Sequence, residues 1–475
     1  MTRTIRLHPL DSVSGMGRYL FLLLIPLIRG LSLIGEGWRL WFAGAWIDLC
    51  VLLAILGLGI LRWRTSRIET DNGRLVYVRG LFFRSREIYL PGALTCLTVY
   101  RPLYLRAFRA AIVRPEVMTS AERVFYPIIV RYSDLRLLEQ WAISPNGERV
   151  RCVLRPGRTA VAWSAASASS VAGGLVFAAA LLSDTARFAG EATADGFLHS
   201  AAAFVRRYSF GLPTVIVIPA AVLAASWLLA FVRNLARYSG FSVLRSRRSL
   251  TVRGGLLNRY RLCLRVSAVE WTELRFRMFT SRMGVVNVAV HAAGFNSRKF
   301  LPAVIPGSRL PTAVRQYKRL LPEMGSLRCA VKARPRDGLG RALTMPATVA
   351  ACLILASVIC GWQFQTMRRL ITFWCAMACL VIVWIGMRRV TALFHTGFGV
   401  YTDHVCAKYL RGHFFRRVSI PADKLLSVTV SQTVFQRRTG VCDVVFRSAG
   451  RHAAVHRVRS VPREAAEREL AKAGF

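Results

Sequence analysis

Six apolar runs alternate with mixed polar segments along the chain, and the runs come in pairs. They cover residues 19–34, 40–61, 160–182, 210–232, 345–364 and 370–387. Each run approaches or reaches the roughly 20 apolar residues that a helix needs to cross a bilayer. Each link within a pair returns the chain to the side that it left. The pattern therefore predicts six transmembrane helices in three helical hairpins.

The segments that follow the hairpins have the pattern of short strands. Runs rich in Val and Phe, such as 441–446 and 453–458, alternate with turns. Pro311 and Pro462 suit the first turn of a helix at the end of the second and third segments. We therefore expect an α+β polytopic membrane protein in which hairpins alternate with three small β-barrel or β-sandwich domains, each closed by a C-terminal helix.

The pattern divides the chain into seven parts, an N-terminal tail and three repeats of a hairpin plus a domain. They are an N-terminal tail 1–16, a hairpin 17–62, a domain 63–159, a hairpin 160–235, a domain 236–343, a hairpin 344–389 and a domain 390–475. Residues 279–294 match residues 435–450 at seven of sixteen positions, including Gly284 with Gly440. The first domain is more diverged and lacks this glycine. Three internal repeats, each a hairpin plus a domain, follow from this pattern.

Three motifs carry a resemblance to a known family. They are the turn pattern R-G-x-F-F-R, which ends at Arg416, the pair Ile420-Pro421, and F-Q-R-R-T-G-V, which begins at Phe435. In units preceded by hairpins, these motifs resemble the YdbS/YdbT-like bacterial pleckstrin-homology (PH) domain membrane proteins in their three-unit form. The resemblance implies three PH-like barrels, each with a C-terminal helix, in a bacterial cell membrane. It implies no known ligand.

The charge of the chain is strongly positive and unevenly distributed. The formal net charge is +43, which points to a polyanion such as nucleic acid or an anionic bilayer surface. Few basic residues lie in or beside the hairpin links, namely Arg39, Arg187, Arg206, Arg207, Arg368 and Arg369. The positive-inside rule then predicts a multi-pass protein whose N-terminus, C-terminus and three domains are cytoplasmic.

Arginines cluster around the turns of the predicted domains, and we expect these residues to contact anionic lipid headgroups. They are Arg79, Arg84, Arg86, Arg253, Arg259, Arg261, Arg411, Arg416, Arg417, Arg437 and Arg438. A solvated face of a basic protein is the alternative interpretation. Arg clusters without interleaved aromatic residues do not favour nucleic acid as the partner.

Two further features lie within the predicted spans. Arg29 and Asp48 reach similar depths in the first hairpin, and a charge in a bilayer usually finds a partner, so we expect an intramembrane ion pair. Ala165, Ser169 and Gly173 are four residues apart, which predicts close packing between helices.

The sequence carries no catalytic motif that we recognise. It contains no phosphate-binding loop, zinc-protease motif or nucleophile elbow, and we expect no cofactor and no metal. His452 and His456 are expected on the surface of a strand and turn. The predicted function is a non-enzymatic membrane scaffold that presents three basic PH-like domains to anionic lipid or to a partner protein. A second small PH-domain membrane protein is a possible partner. The alternative function is that of a lipid or small-molecule transporter, or of an accessory subunit to one.

Overall fold

The structure is a computed structural model of the chain. It describes residues 3–14, 38–71, 74–80, 84–89, 94–117, 127–142, 149–168, 196, 200, 203, 214–277, 283–292, 303–412, 414–449, 454–472 and 474. The described strands fall into three repeats of seven.

The first repeat contains β1 to β7 with helices α1 to α4. In chain order the elements are β1 (Arg3–Arg6), α1 (Asp11–Ser14), α2 (Trp38–Thr65), β2 (Arg67–Asp71), β3 (Arg74–Arg79), β4 (Ser85–Tyr89), β5 (Leu94–Arg101), α3 (Leu103–Ala107), β6 (Ala110–Val117), β7 (Ile128–Arg131) and α4 (Leu135–Ala142).

The second repeat contains β8 to β14 with helices α5 to α7. Its elements are β8 (Cys152–Leu154), α5 (Arg158–Ala168), α6 (Thr214–Tyr238), β9 (Ser242–Arg245), β10 (Ser249–Gly254), β11 (Arg259–Arg265), β12 (Val269–Arg277), β13 (Val285–Ala292), β14 (Ala303–Arg309) and α7 (Leu310–Leu320).

The third repeat contains β15 to β21 with helices α8 to α11. Its elements are β15 (Val331–Lys332), α8 (Pro335–Gln363), α9 (Arg368–Phe394), β16 (Gly397–Val400), β17 (His404–Arg411), β18 (Phe414–Pro421), β19 (Leu425–Ser431), α10 (Val434–Thr439), β20 (Val441–Ser448), β21 (Ala454–Pro462) and α11 (Arg463–Ala471).

The chain forms two compact units, and the division falls inside the second repeat. The second unit contains α5 and the described elements from β12 onward. The first unit holds the sheet β1-β2-β3-β4 and a seven-stranded sheet, β7-β6-β5-β11-β10-β9-β8. Within that larger sheet, β5 of the first repeat pairs antiparallel with β11 of the second. A core that includes Ile68, Leu97 and Val130 excludes water from this unit.

The second unit is built in the same manner. Its seven-stranded sheet, β14-β13-β12-β18-β17-β16-β15, joins the second and third repeats through antiparallel pairing of β12 with β18. The sheet β19-β20-β21 completes the unit. Phe398 and Phe446 lie in its core with ring centroids 5.5 Å apart. Helix α11 begins directly after Pro462 and contributes Ala466 and Leu470 to the same core.

The three repeats share one register, including one irregularity. The pairs β5–β6, β12–β13 and β19–β20 each shift register directly after their first paired residue, which is Leu94, Val269 or Leu425. Such a bulge adds one residue to one strand and increases the local twist. Its recurrence aligns the repeats residue by residue, independently of their sequences.

The turn before the next strand of each repeat has a left-handed residue. Gly284 and Gly440 have φ angles of 65° and 64°, which glycine adopts without steric cost. The first repeat has Arg109 in the corresponding turn, with φ of 50°. The diverged repeat therefore keeps the backbone conformation although it lacks the glycine.

The predicted fold of six transmembrane helices in three hairpins is wrong. In the part of the chain that the structure describes, two helices are long and apolar enough to cross a membrane, Pro335–Gln363 and Ile371–Phe394. Most other described elements are strands of antiparallel sheets. Runs 40–61 and 210–232 coincide largely with α2 and α6, whereas run 19–34 and residues 169–182 lie outside the described residues.

Helix α5 gives a physical reason for this error, because hydropathy counts apolar residues whether they face lipid or protein. Ser164 and Ala165 on α5 are fully buried, and the helix packs against β14. A Cβ atom at Gly307 of β14 would lie 2.1 Å from the carbonyl oxygen of Ala160. The sheet therefore approaches α5 closely at Ala160 and Ser164. Ser169 and Gly173 lie outside the described residues.

Candidate anion-binding sites

A cavity lined by arginines lies at the C-terminal end of α6, and we call it the α6 pocket. Its volume is about 370 Å³. Ser239 and Gly240, which directly follow α6, form one wall. The four arginines that line it are Arg101, Arg253, Arg259 and Arg261.

The arginines of the α6 pocket differ in what they contact. Arg261 donates two hydrogen bonds to the carboxylate of Glu139, at 2.7 and 2.6 Å, and the Arg101 guanidinium lies 3.8 Å from the centre of the Tyr132 ring. Arg253 and Arg259 have no carboxylate partner among the described residues. Burial, followed by the charge of Arg261, lowers the pKa of Arg253. An anion in the pocket would relieve this repulsion between like charges.

Exposed apolar side chains lie beside the α6 pocket. Arg106 on α3 donates a hydrogen bond to the carbonyl oxygen of Leu257 at 2.7 Å, and it also contacts the carbonyl of Leu256. The backbone N–H of Leu256 in turn donates to the carbonyl of Ala236 on α6 at 2.9 Å. These bonds hold two groups of exposed apolar residues near the end of α6. The groups are Leu103, Tyr104 and Phe108, and Leu256 and Leu257.

The second unit has a corresponding cavity, the α9 pocket, at the C-terminal end of α9. Its volume is about 480 Å³, and it too is lined by four arginines, Arg389, Arg411, Arg457 and Arg459. Arg389 lies on α9, while Arg411 ends β17. The guanidinium of Arg388 donates to the carbonyl of Gly412, which fixes the β17–β18 turn against the helix.

Arg457 of the α9 pocket has a carboxylate near it. Its Nε lies 3.7 Å from Oδ2 of the buried Asp443. A helix C-terminus carries only about half a negative charge, so it neutralises a small part of four guanidinium groups. The α9 pocket is therefore electropositive, like the α6 pocket, and both suit a phosphate or another oxyanion.

The predicted arginines divide among several environments. Arg253, Arg259 and Arg261 meet in the α6 pocket, and Arg411 lines the α9 pocket. Arg84 and Arg86 lie exposed at and before β4, while Arg79 is partly buried at the end of β3. Arg437 and Arg438 lie exposed on α10. The sequence predicted one group of arginines because all of them lie near turns. The structure brings only some of them together.

Arg416 forms a buried ion pair. Its Nη1 lies 3.1 Å from Oε2 of Glu273, a carboxylate with no exposed surface. Arg275 and His291 contact the same carboxylate, His291 with its Nε2 at 3.2 Å. The neighbouring Arg417 lies 5.6 Å from the centre of the Phe276 ring. Arg416 therefore stabilises the sheet of the second unit and does not face a ligand.

The expectation that His456 lies on the surface is wrong. The side chain is fully buried, where Nδ1 lies 2.7 Å from Tyr409 Oη and Nε2 lies 3.2 Å from Ser448 Oγ. Burial, followed by the charge of His291, lowers the pKa of His456 to about 3. The sequence signal was the alternation of β21, which places His456 on the same face as Val458. His452 lies outside the described residues.

Two other expectations concern the Arg29–Asp48 ion pair and metal binding. Arg29 lies outside the described residues, so its ion pair with Asp48 on α2 stays a prediction. Among the residues that the structure describes, no three His, Cys, Asp or Glu side chains converge to hold a metal ion.

The antiparallel sheets, the closing helices and the basic pockets define a class of protein with PH-like domains. Residues 201–324 and 342–473 match the Bacterial PH domain family. These matches cover more than half of the chain, which therefore belongs to the bacterial PH domain family. The first repeat lies outside both matches, although its strands follow the same register. No curated protein and no solved structure matches the chain.

Proposed function

We propose that the protein is a non-enzymatic membrane scaffold that binds the phosphate headgroups of anionic lipids in its α6 and α9 pockets. The observation that carries this proposal is the placement of the pockets. Each pocket lies at the end of a long apolar helix and is lined by four arginines. Near an anionic membrane surface, each basic residue contributes roughly 1 kcal/mol of binding free energy.

The helical pair α8–α9 supports membrane anchoring. Only 6% of the most apolar window of each helix is buried, so neither resembles the core helix of a globular domain. The two helices pack against each other and expose large side chains such as Trp362, Leu380 and Val383. Water would penalise so large an apolar surface, whereas lipid would not.

The charges at the two ends of the α8–α9 pair favour a cytoplasmic location for the third repeat. Arg334, Arg336, Arg388 and Arg389 lie at the end that joins the strands. The opposite end carries Arg368 and Arg369. The positive-inside rule then orients this pair with its strand-bearing end in the cytoplasm. We propose a multi-pass protein of the bacterial cell membrane on this basis.

The three-unit organisation supports a closer relationship. We infer that the chain is similar to the YdbS/YdbT-like branch of bacterial PH-domain proteins, because three seven-stranded repeats follow one register. The first repeat, with Arg109 in place of a glycine, is the most diverged member.

Native mass spectrometry of the full-length protein in detergent tests the lipid proposal. Protein is titrated with phosphatidylglycerol and, separately, with phosphatidylcholine. Two variants each remove two pocket arginines: Arg253→Gln with Arg259→Gln, and Arg389→Gln with Arg411→Gln. Losing two contacts of roughly 1 kcal/mol each predicts at least about tenfold weaker phosphatidylglycerol binding to the altered pocket.

The matched control replaces Arg315 and Arg319 by Gln. Both are exposed on α7 and line neither pocket. This control has the same net charge as each pocket variant and should keep the affinity of the unaltered protein. An equal loss in all three variants would show that lipid binds to diffuse charge, which contradicts the pocket proposal.

A further inference from the structure

The four sheets of the described chain contain four, seven, seven and three strands. Each seven-stranded sheet combines the first four strands of one repeat with the last three strands of the preceding repeat. The sheet β1–β4 and the sheet β19–β21 are the halves that remain at the two ends of the series. Joined through β4 and β19, they would reproduce the strand order of both larger sheets.

The two junctions within the chain have the same register. In the first junction Cys263 of β11 lies opposite Leu97 of β5. In the second, Ser419 of β18 lies opposite Thr272 of β12. Leu97 and Thr272 occupy the same position relative to the bulge of their strands. A junction of this kind is therefore a repeated feature of the fold.

An arginine faces an apolar residue two positions further along each junction. Arg261 lies opposite Val99, and Arg417 lies opposite Leu274. The corresponding residue of β19 is Val430, because the bulge of β19 begins at Leu425. The corresponding residue of β4 is Arg86, because β3 pairs with β4 as β10 pairs with β11. The two end strands thus carry the residue types of an existing junction.

Solvent exposure separates β19 from the strands that it resembles. Val99 and Leu274 are 2% and 0% exposed, but Val430 is 41% exposed. Leu426, at the bulge, is 62% exposed. On β4, Ile88 is 52% exposed, whereas the corresponding Cys263 is 5% exposed. An edge strand with apolar residues is a template for another strand.

We propose that β4 of one copy of this chain pairs antiparallel with β19 of a second copy. Ile88 lies opposite Val428, and Arg86 lies opposite Val430. The second copy is the occupant because the chain itself carries the complementary strand in the required register. The contact joins two different surfaces, so copies associate head to tail into a ring or a filament. Main-chain hydrogen bonds give such strand addition its affinity.

Cysteine cross-linking of the full-length protein in detergent tests the register. Ile88→Cys protein is mixed with Val428→Cys protein and oxidised with copper phenanthroline and dissolved oxygen. Directly opposite residues lie within disulfide distance, so a covalent dimer should form in the mixture. Each variant oxidised alone controls for the native cysteines, and each should give less dimer than the mixture.

A mixture of Ile88→Cys with Val430→Cys is the register control. These positions are diagonal neighbours, roughly 7–8 Å apart, which exceeds the usual disulfide distance. Equal cross-linking in both mixtures would overturn the register. Cross-linking within one chain of an Ile88→Cys, Val428→Cys double variant, with no dimer in the mixture, would make the same chain the occupant and overturn the proposal. Absence of both products would also overturn it and would favour a separate PH-domain protein as the occupant.

A charge exchange tests the same contact without cysteines. Val430→Lys places two cations opposite each other and should weaken self-association about threefold or more, as measured by analytical ultracentrifugation. Val430 is exposed in the single chain, so folding should be unchanged. Combining Val430→Lys with Arg86→Glu should restore association. Failure of this rescue, with both variants folded, would contradict the pairing of Arg86 with Val430.

Discussion

Glu270 is a buried carboxyl group at the bulge of β12, and its titration affects the stability of the second unit. Burial raises the pKa of Glu270 from 4.5 to about 7, although the charge of Lys424 lowers it. The folded state therefore holds a proton that the unfolded chain releases at lower pH. This stabilisation is complete below about pH 4.5 and is lost as the pH rises through about 7; its upper limit is about 3 kcal/mol.

The Glu270→Gln substitution should remove this pH dependence. Between pH 5 and pH 8, the Tm of the unaltered protein should fall by about 5 °C more than the Tm of the variant. Differential scanning calorimetry at several pH values measures the difference. Glu464→Gln, at an exposed position on α11, is the control and should follow the unaltered protein. Parallel pH curves for the unaltered protein and Glu270→Gln would contradict the assignment.

Arg109 is strained because a side chain disfavours its left-handed backbone. Its N–H donates to the carbonyl of Arg106, and its carbonyl accepts from Tyr132, so the turn cannot relax without losing hydrogen bonds. Arg109→Gly should raise the free energy of unfolding by about 1 kcal/mol. Gly440→Ala should lower it by a similar amount, because a Cβ there meets no atom within 4 Å and only the backbone is strained. Thermal unfolding of both variants checks these opposite signs; equal signs would contradict the account.

Among the elements, the α8–α9 pair is the membrane anchor that we propose. Cys352 is an exposed thiol in the middle of α8. In lipid vesicles it should resist a charged, water-soluble maleimide, because lipid excludes the reagent. In denaturing detergent it should react. Mass spectrometry of labelled peptides reads each cysteine separately.

The control for this labelling is Asp403→Cys, which adds a thiol at an exposed turn. On opened vesicles the added thiol should react while Cys352 stays protected. Rapid labelling of Cys352 in intact lipid would show that α8 faces water, and α8 would then not be a membrane anchor.

The sequence predicts where a helix begins better than it predicts what the helix packs against. Pro311 lies in the first turn of α7, where the sequence suggested, and Tyr317 and Leu320 of that helix are buried. Helix α5 shows the limit, since its small residue Ser164 lies against a sheet and donates a hydrogen bond to Asn287 of β13. The ion pair of Arg416 could not be predicted either, because its partner Glu273 is distant in sequence.

For the whole molecule, one match between repeats could be recognised in the sequence, but the way the repeats join could not. The match between residues 279–294 and 435–450 corresponds to a shared register, with Val288 opposite Leu274 and Val444 opposite Val430. Pairing between repeats depends on which strand edges meet. The alternation of apolar and polar residues within a strand does not determine which strand lies beside it. The pockets depend on the same tertiary contacts, so arginines near turns are visible in the sequence but their grouping is not.

The central claim is that the α6 and α9 pockets bind lipid phosphate, and cryo-electron microscopy of the full-length protein in lipid nanodiscs tests it most directly. Two samples are compared, one containing phosphatidylglycerol and one containing only phosphatidylcholine. The account predicts headgroup density in the phosphatidylglycerol sample, with phosphate oxygens about 3 Å from Arg253 and Arg259, and corresponding density beside Arg389 and Arg411. Pockets that hold no headgroup in either sample would contradict the account.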